Sequence, residues 1–153
     1  MRRKDKQVSD KDTLFNVINK SVVCRIGLVN NNLPYVIPIN FGFDGTHIYF
    51  HSATSGEKVE ILKKNNHVCV EFEQDISIIE NEKPCKWGAR YLTVVVHGIA
   101  ELVSDPMQKS YGLTQIFAHY NSGIVQFSFT NEELDSVLVY KVNLLEIIGK
   151  SSE

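Results

Sequence analysis

The chain is poor in cysteine, and its cysteines form no pattern. Cys24, Cys69 and Cys85 are an odd set at wide spacings with no C-x-x-C pair. That excludes a zinc ribbon, a dithiol redox motif and a disulfide framework. Cys24 and Cys69 stand inside apolar runs and read as small core side chains. No apolar run approaches the roughly 18 residues of a membrane span. The opening MRRKDKQVSD has no apolar stretch of the kind a secretory leader needs. The expectation is a cytoplasmic protein that does not enter a membrane. Neither sign of charge dominates, and a formal net charge of −2 argues against general nucleic-acid binding. Five histidines are present, but they are scattered. His47 and His51 share one face of a strand about 13 Å apart. His67, His97 and His119 have no Cys or Glu at ligand spacing, so no metal site is expected.

What is present is an ordinary globular composition. The chain has 153 residues, 43% of them hydrophobic and 22% charged. This suits one domain, residues 1–153, with a sizeable core. Residues 10–20 read as a helix with Asp10 or Ser9 as its cap and Leu14, Val17 and Ile18 on its apolar stripe. Strands are expected at 22–29, 35–43, 46–52, 67–73, 91–103 and 136–147, and a helix runs from Pro106 to about 119. Pro38 removes a ladder donor, so its strand is interrupted or lies at an edge. Asp44-Gly45 is a hairpin turn, and Gly98 permits a bend or bulge. Short strands joined by hairpin signals, with three helices, point to a mainly β fold. The architecture expected is an antiparallel, Greek-key-like barrel with flanking helices.

The most informative stretch is YFHSATSGEKVEIL, residues 49–62. It begins as a strand and ends as a helix, about 55–65, with small and hydroxyl residues between. Two readings of the junction stay open. Thr54 or Ser55 can cap the helix, since Thr54-x-x-Glu57 fits a capping box. Alternatively, free N–H groups, the helix dipole and Lys58 together form a site for an anion.

The run IPINFGFDGTHIYFHSATSGEKVEILKKNNHVCVEFE resembles the core signature of the pyridoxamine 5′-phosphate oxidase-like flavoproteins. It looks closest to the branch containing the nitroimidazole reductases. CKWGARYLTVVVHGIAELV resembles that branch's second block, and IIGK its tail, so the likeness spans nearly the whole chain. It implies an FMN-binding split β-barrel and a homodimer with FMN at the subunit interface. In such proteins the segment matching Ile37, Pro38, Ile39, Asn40 and Phe41 runs beside the flavin ring. The residues matching Phe50, His51, Ser52 and Lys58 hold the phosphate. Thr93 would face the flavin from the second subunit, and Gly149 and Lys150 match a tail that approaches the same cofactor. His51 is the candidate catalytic residue, able to give a hydrogen bond or a proton to a reduced substrate. Trp87 is a candidate cover for the flavin or an interface residue.

Two departures from the relatives bear on function. Glu57 stands where a lysine is usual. The chain also ends GKSSE, without the Arg-x-His segment that a true pyridoxamine phosphate oxidase uses, so vitamin B6 oxidation is not expected. The implied activity is two-electron reduction of a small, flat, electron-poor molecule, with NAD(P)H as donor. The alternatives are a store or sensor that carries flavin or haem without fast turnover, and a dimeric scaffold with no ligand.

Overall fold

Alternating apolar side chains in several short runs favour strands, and the computed structural model, which describes residues 4–121 and 127–152, pairs them all antiparallel. The strands are β1 (Gln7–Val8), β2 (Cys24–Asn30), β3 (Leu33–Ile39), β4 (Gly42–Phe43), β5 (His47–Ser52), β6 (His67–Ile79), β7 (Gly88–Leu102) and β8 (Leu138–Ser152). They form one sheet in the order β3-β2-β6-β7-β8-β5-β4, with β1 added to β8. The result is an antiparallel split β-barrel with flanking helices. These are α1 (Lys11–Lys20), α2 (Glu57–Lys64), α3 (Pro106–Tyr120) and the short α4 (Asn131–Asp135). Among the described residues no helix is long and apolar enough to cross a membrane.

The inner face of the sheet makes the core. Phe41, Phe50 and Phe72 are fully buried there, with Val70, Val94, Val96 and Val142. Each such side chain contributes about 1.5–3 kcal/mol by leaving water. Leu14, Val17 and Ile18 of α1 join the same core. On the outside, α3 covers β4 and β5, where Tyr49 meets Leu113, Ile116 and Val139. Gly42 allows that approach, because a Cβ there would lie 2.3 Å from the Gln115 carbonyl carbon.

Several expectations are met in detail. Pro38 lies on β3, the edge of the sheet, as its missing donor requires. At Gly98 the ladder shifts: His97 pairs with Glu146 and Gly98 with Leu144, so Leu145 is an extra residue on β8. Other boundaries move. The strand read at 35–43 breaks at residues 40 and 41 into β3 and β4. β6 and β7 extend into a long hairpin arm whose ladder is irregular between Gln74 and Ser77. β8 continues to Ser152 because β1 and β7 both supply partners for its end. β1 and α4 were not foreseen; two residues and five residues are too short to show a period.

Candidate functional site

The junction after β5 is built differently from a capped helix. The N-cap of α2 is Gly56, at φ 126° and ψ 169°, with no side chain bonded to the helix start. That backbone region is open in practice only to glycine. The expected cap by Thr54 or Ser55, and the Thr54–Glu57 box, are therefore corrected: the helix starts beyond Gly56, and Thr54, Ser55 and Glu57 are all exposed. The first N–H groups of α2 and the positive end of its dipole are left for another partner.

Lys58 stands one position into that helix. Its Nζ donates to the His51 carbonyl oxygen at 3.4 Å and sits 5.6 Å from the centre of the Phe50 ring. Among the described residues it has no carboxylate partner. Burial lowers its pKa, so the site holds a cation that lacks full hydration and a counter-ion. His51 is half-buried, and its pKa is lowered by burial and then by the Lys58 charge. Its Nδ1 is buried and has no hydrogen-bond partner among the described residues. Ser52, the last residue of β5, is almost fully buried beside them. An orphaned ring nitrogen, an unpaired half-buried ammonium and an open helix start together suit a phosphate ester.

Ile37, Pro38 and Ile39 end β3, and the chain passes through Asn40 and Phe41 into β4, whose Gly42 pairs with Tyr49 of β5. The segment thus leads toward the His51 end of β5. Pro38 and Asn40 are exposed, Ile37 is half-buried and Ile39 nearly buried. Phe41 and Phe50, two of the residues expected beside a cofactor, lie within the core. Both have no exposed surface in this chain: Phe41 packs on Phe72, and Phe50 stacks on Tyr140 at 5.1 Å. They support the site from beneath. The Phe41 N–H is also taken, donating to Tyr120 Oη at 3.1 Å. Tyr140 was missed in the sequence, where it is simply one apolar position of a strand.

Thr93 and Lys150 face each other across β7 and β8, with Thr93 Oγ1 donating to the Lys150 carbonyl at 3.5 Å. The Lys150 ammonium lies 5.2 Å from the centre of the Tyr91 ring. This pair lies toward the other end of β8 from the cradle. Ser52 pairs with Leu138 at one end of β8 and Thr93 with Lys150 near the other, a dozen residues away. That is about 40 Å of strand path. Trp87 ends the hairpin arm, half-exposed, with its Nε1 donating to Asn81 O at 2.7 Å.

A family model described as pyridoxamine 5′-phosphate oxidase matches residues 10–151. The chain belongs to the pyridoxamine 5′-phosphate oxidase family. Solved structures agree with that placement. A candidate 5-nitroimidazole antibiotic resistance protein from Bacteroides thetaiotaomicron is 30% identical, with a TM-score of 0.84 over 94% of this chain and 85% of its own. A flavocytochrome from Azotobacter vinelandii shares the fold at 19% identity, with a TM-score of 0.87 over 100% of this chain and 72% of its own. An FAD and heme binding protein from Mycobacterium smegmatis does so at 20% identity, with a TM-score of 0.87 over 97% and 74%. No curated protein matches the chain.

Proposed function

We propose that this member of the pyridoxamine 5′-phosphate oxidase family binds FMN non-covalently between the subunits of a homodimer. We further propose that it reduces a small, flat, electron-poor molecule, with NAD(P)H as donor. The observation that carries this reading is the start of α2: a glycine N-cap without a side-chain bond, over a half-buried lysine without a counter-ion. A doubly negative phosphate supplies what that arrangement lacks.

When bound, FMN supplies the two-electron carrier on which the redox chemistry occurs. The chain's own residues do the rest. Lys58 and the first N–H groups of α2 hold the phosphate, and the buried Ser52 closes the cradle from the strand side. With its pKa lowered, His51 is neutral near pH 7, so its ring keeps one donor and one acceptor nitrogen. Its half-buried ring can hold a proton for a substrate or bond the cofactor, although Nδ1 itself is shut off from solvent in the chain as it stands. The strand path between Ser52 and Lys150 is far longer than one mononucleotide, which supports a site completed by a second copy. In that arrangement one protomer's cradle meets the partner's Thr93–Lys150 pair, and Pro38 and Asn40 offer an exposed segment beside the ring.

An absorbance spectrum of freshly purified protein, followed by FMN titration, tests the reading. Flavin bands, or saturable FMN binding by a dimer, are expected. A Soret band, no FMN binding, or tight binding by a monomer overturns it. Rapid bleaching by NAD(P)H with reoxidation by a nitroaromatic is the expected enzymatic result. Slow, donor-independent bleaching would assign the chain to flavin storage or sensing instead.

A further inference from the structure

A strand with one wet face alternates, but residues 94–96 of β7 are three valines in a row. Such a run belongs to a strand covered on both faces. Val94 and Val96 lie in the core, so Val95 points outward with Thr93 and His97. β8 repeats the pattern: Ile147 packs against the core, and Ile148, opposite Val95, faces out. One row along, Val36 of β3, Gly27 of β2, Cys69 of β6 and His97 stand in register across the sheet. Val36 at one side of this face is 62% exposed, and Leu145 at the other is 65% exposed. Between them the surface hollows into a largely apolar groove of about 440 Å³.

No part of the chain supplies the cover that these side chains call for. α1 and α2 meet the sheet through Leu14, Val17, Ile18, Ile61 and Leu62 in the inner core, and α3 lies over β4 and β5. Among the described residues, the outer face of β3, β2, β6, β7 and β8 carries no helix.

Charge and size narrow the occupant. Arg25 holds Glu73 at 2.7 Å and Glu71 at 3.3 Å at one margin of the face. On β8, Glu146 and Lys150 stand on either side of Ile148. The face is therefore nearly neutral, and a closed two-fold contact sets such a patch on its own image without repulsion. The five strands span about 20 Å, and the rows from Thr93 to Ile99 about 20 Å more in the other direction. A stable interface takes about 800 Å² from each partner. The hairpin arm extends the face toward that size. Ile78, 64% exposed, pairs with Ala89, which shares the outward parity of Thr93 and Val95.

We infer that a second copy of this chain docks on the outer face of β3-β2-β6-β7-β8, with the hairpin arm reaching along it. The inference rests on the homodimer of the reading above, though not on its cofactor, and names its surface. The Thr93–Lys150 pair lies on this same face, so docking there presents it to the other subunit.

Sedimentation velocity of the cofactor-free and FMN-loaded protein tests it. The wild type should be a dimer. Val36→Glu and Leu145→Glu, at opposite sides of the face, each bring a charge into the contact twice by symmetry. Each should weaken association by about a hundredfold with the far-UV spectrum of the fold retained. Met107→Glu, at an exposed apolar position on α3, should leave the dimer intact. A second measurement needs no variant: Cys69 opens into the groove, so its labelling by a maleimide should rise as the wild type is diluted into monomers. A monomeric wild type, a dimer that survives both face variants, or Cys69 labelling independent of concentration overturns the inference. FMN bound by a dimer that the face variants leave intact removes this inference and keeps the flavin reading. A dimer that the face variants dissociate, but that binds no flavin, does the reverse.

Discussion

Residues 54–57 and 130–133 both read Thr-x-x-Glu, and both precede a helix. Only the second pair forms a capping box. Glu133 N donates to Thr130 Oγ1 at 3.2 Å, and Thr130 N donates to Glu133 Oε2 at 2.8 Å. In the first pair, Gly56 takes a backbone conformation closed to other residues, and the helix begins after it, uncapped. The starts of α1 and α3 are capped as well, by Asp10 on Thr13 N and Asp105 on Gln108 N. Among the described α-helices, three starts are closed by the chain's own side chains and one is left open. The open one adjoins an unpaired cation and an orphaned imidazole nitrogen. An uncapped start costs about 1 kcal/mol relative to a capped one. A bound anion offsets that cost.

This contrast can be broken from either side. The largest effect is expected from Lys58→Met. It should weaken FMN binding by about tenfold to a hundredfold, the worth of one charge-assisted bond. It should leave the cofactor-free protein as stable as before or slightly more so, because it removes a poorly solvated charge. Titration and melting of the same samples check both halves. Gly56→Ala comes next. At φ 126° a Cβ is strained, so a stability loss of about 1–3 kcal/mol is expected, together with weaker FMN binding. A melting curve unchanged from wild type would sink the claim that Gly56 sets the open start. Asp105→Ala sharpens the comparison, since it should cost about 1 kcal/mol of stability and leave flavin affinity unaltered.

The smallest change concerns pH. The folded chain holds the His51 pKa below its ordinary value of 6.5. As pH falls below 6.5 the unfolded chain takes up a proton that the folded chain resists. Stability therefore declines until the folded pKa is reached and is then flat from this group. Denaturation midpoints at several pH values should fall less steeply for His51→Gln than for wild type. Identical slopes would contradict the burial of an unpartnered His51.

Much of the architecture was legible because its causes are local. Pro38 lacks a donor and sits at the sheet's edge, Gly98 marks the bulge, and Asp105-Pro106 starts α3. Val68, Val70 and Phe72 alternate inward as a half-buried strand must. The site was legible more coarsely. Residue type and spacing indicated a cation and free N–H groups near Lys58. They could not tell the box that forms at Thr130 from the one that does not form at Thr54, because the difference lies in a single glycine and in the packing of the following helix. Alternation along β5 puts Phe50 with Ile48 on one face and His51 on the other, and Phe50 and Ile48 are both buried.

Leu145, the extra residue at the bulge, sets the phase of β8. In an unbroken strand, positions of equal parity share a face, and Tyr140 and Lys150 would then point the same way. One inserted residue reverses that parity, so Tyr140 and Val142 look inward before it and Ile147 joins the same core after it. Lys150 is thereby released to the opposite side. Removing Leu145 would leave every side chain of the strand in place chemically, yet would turn one half of β8 inside out relative to the other.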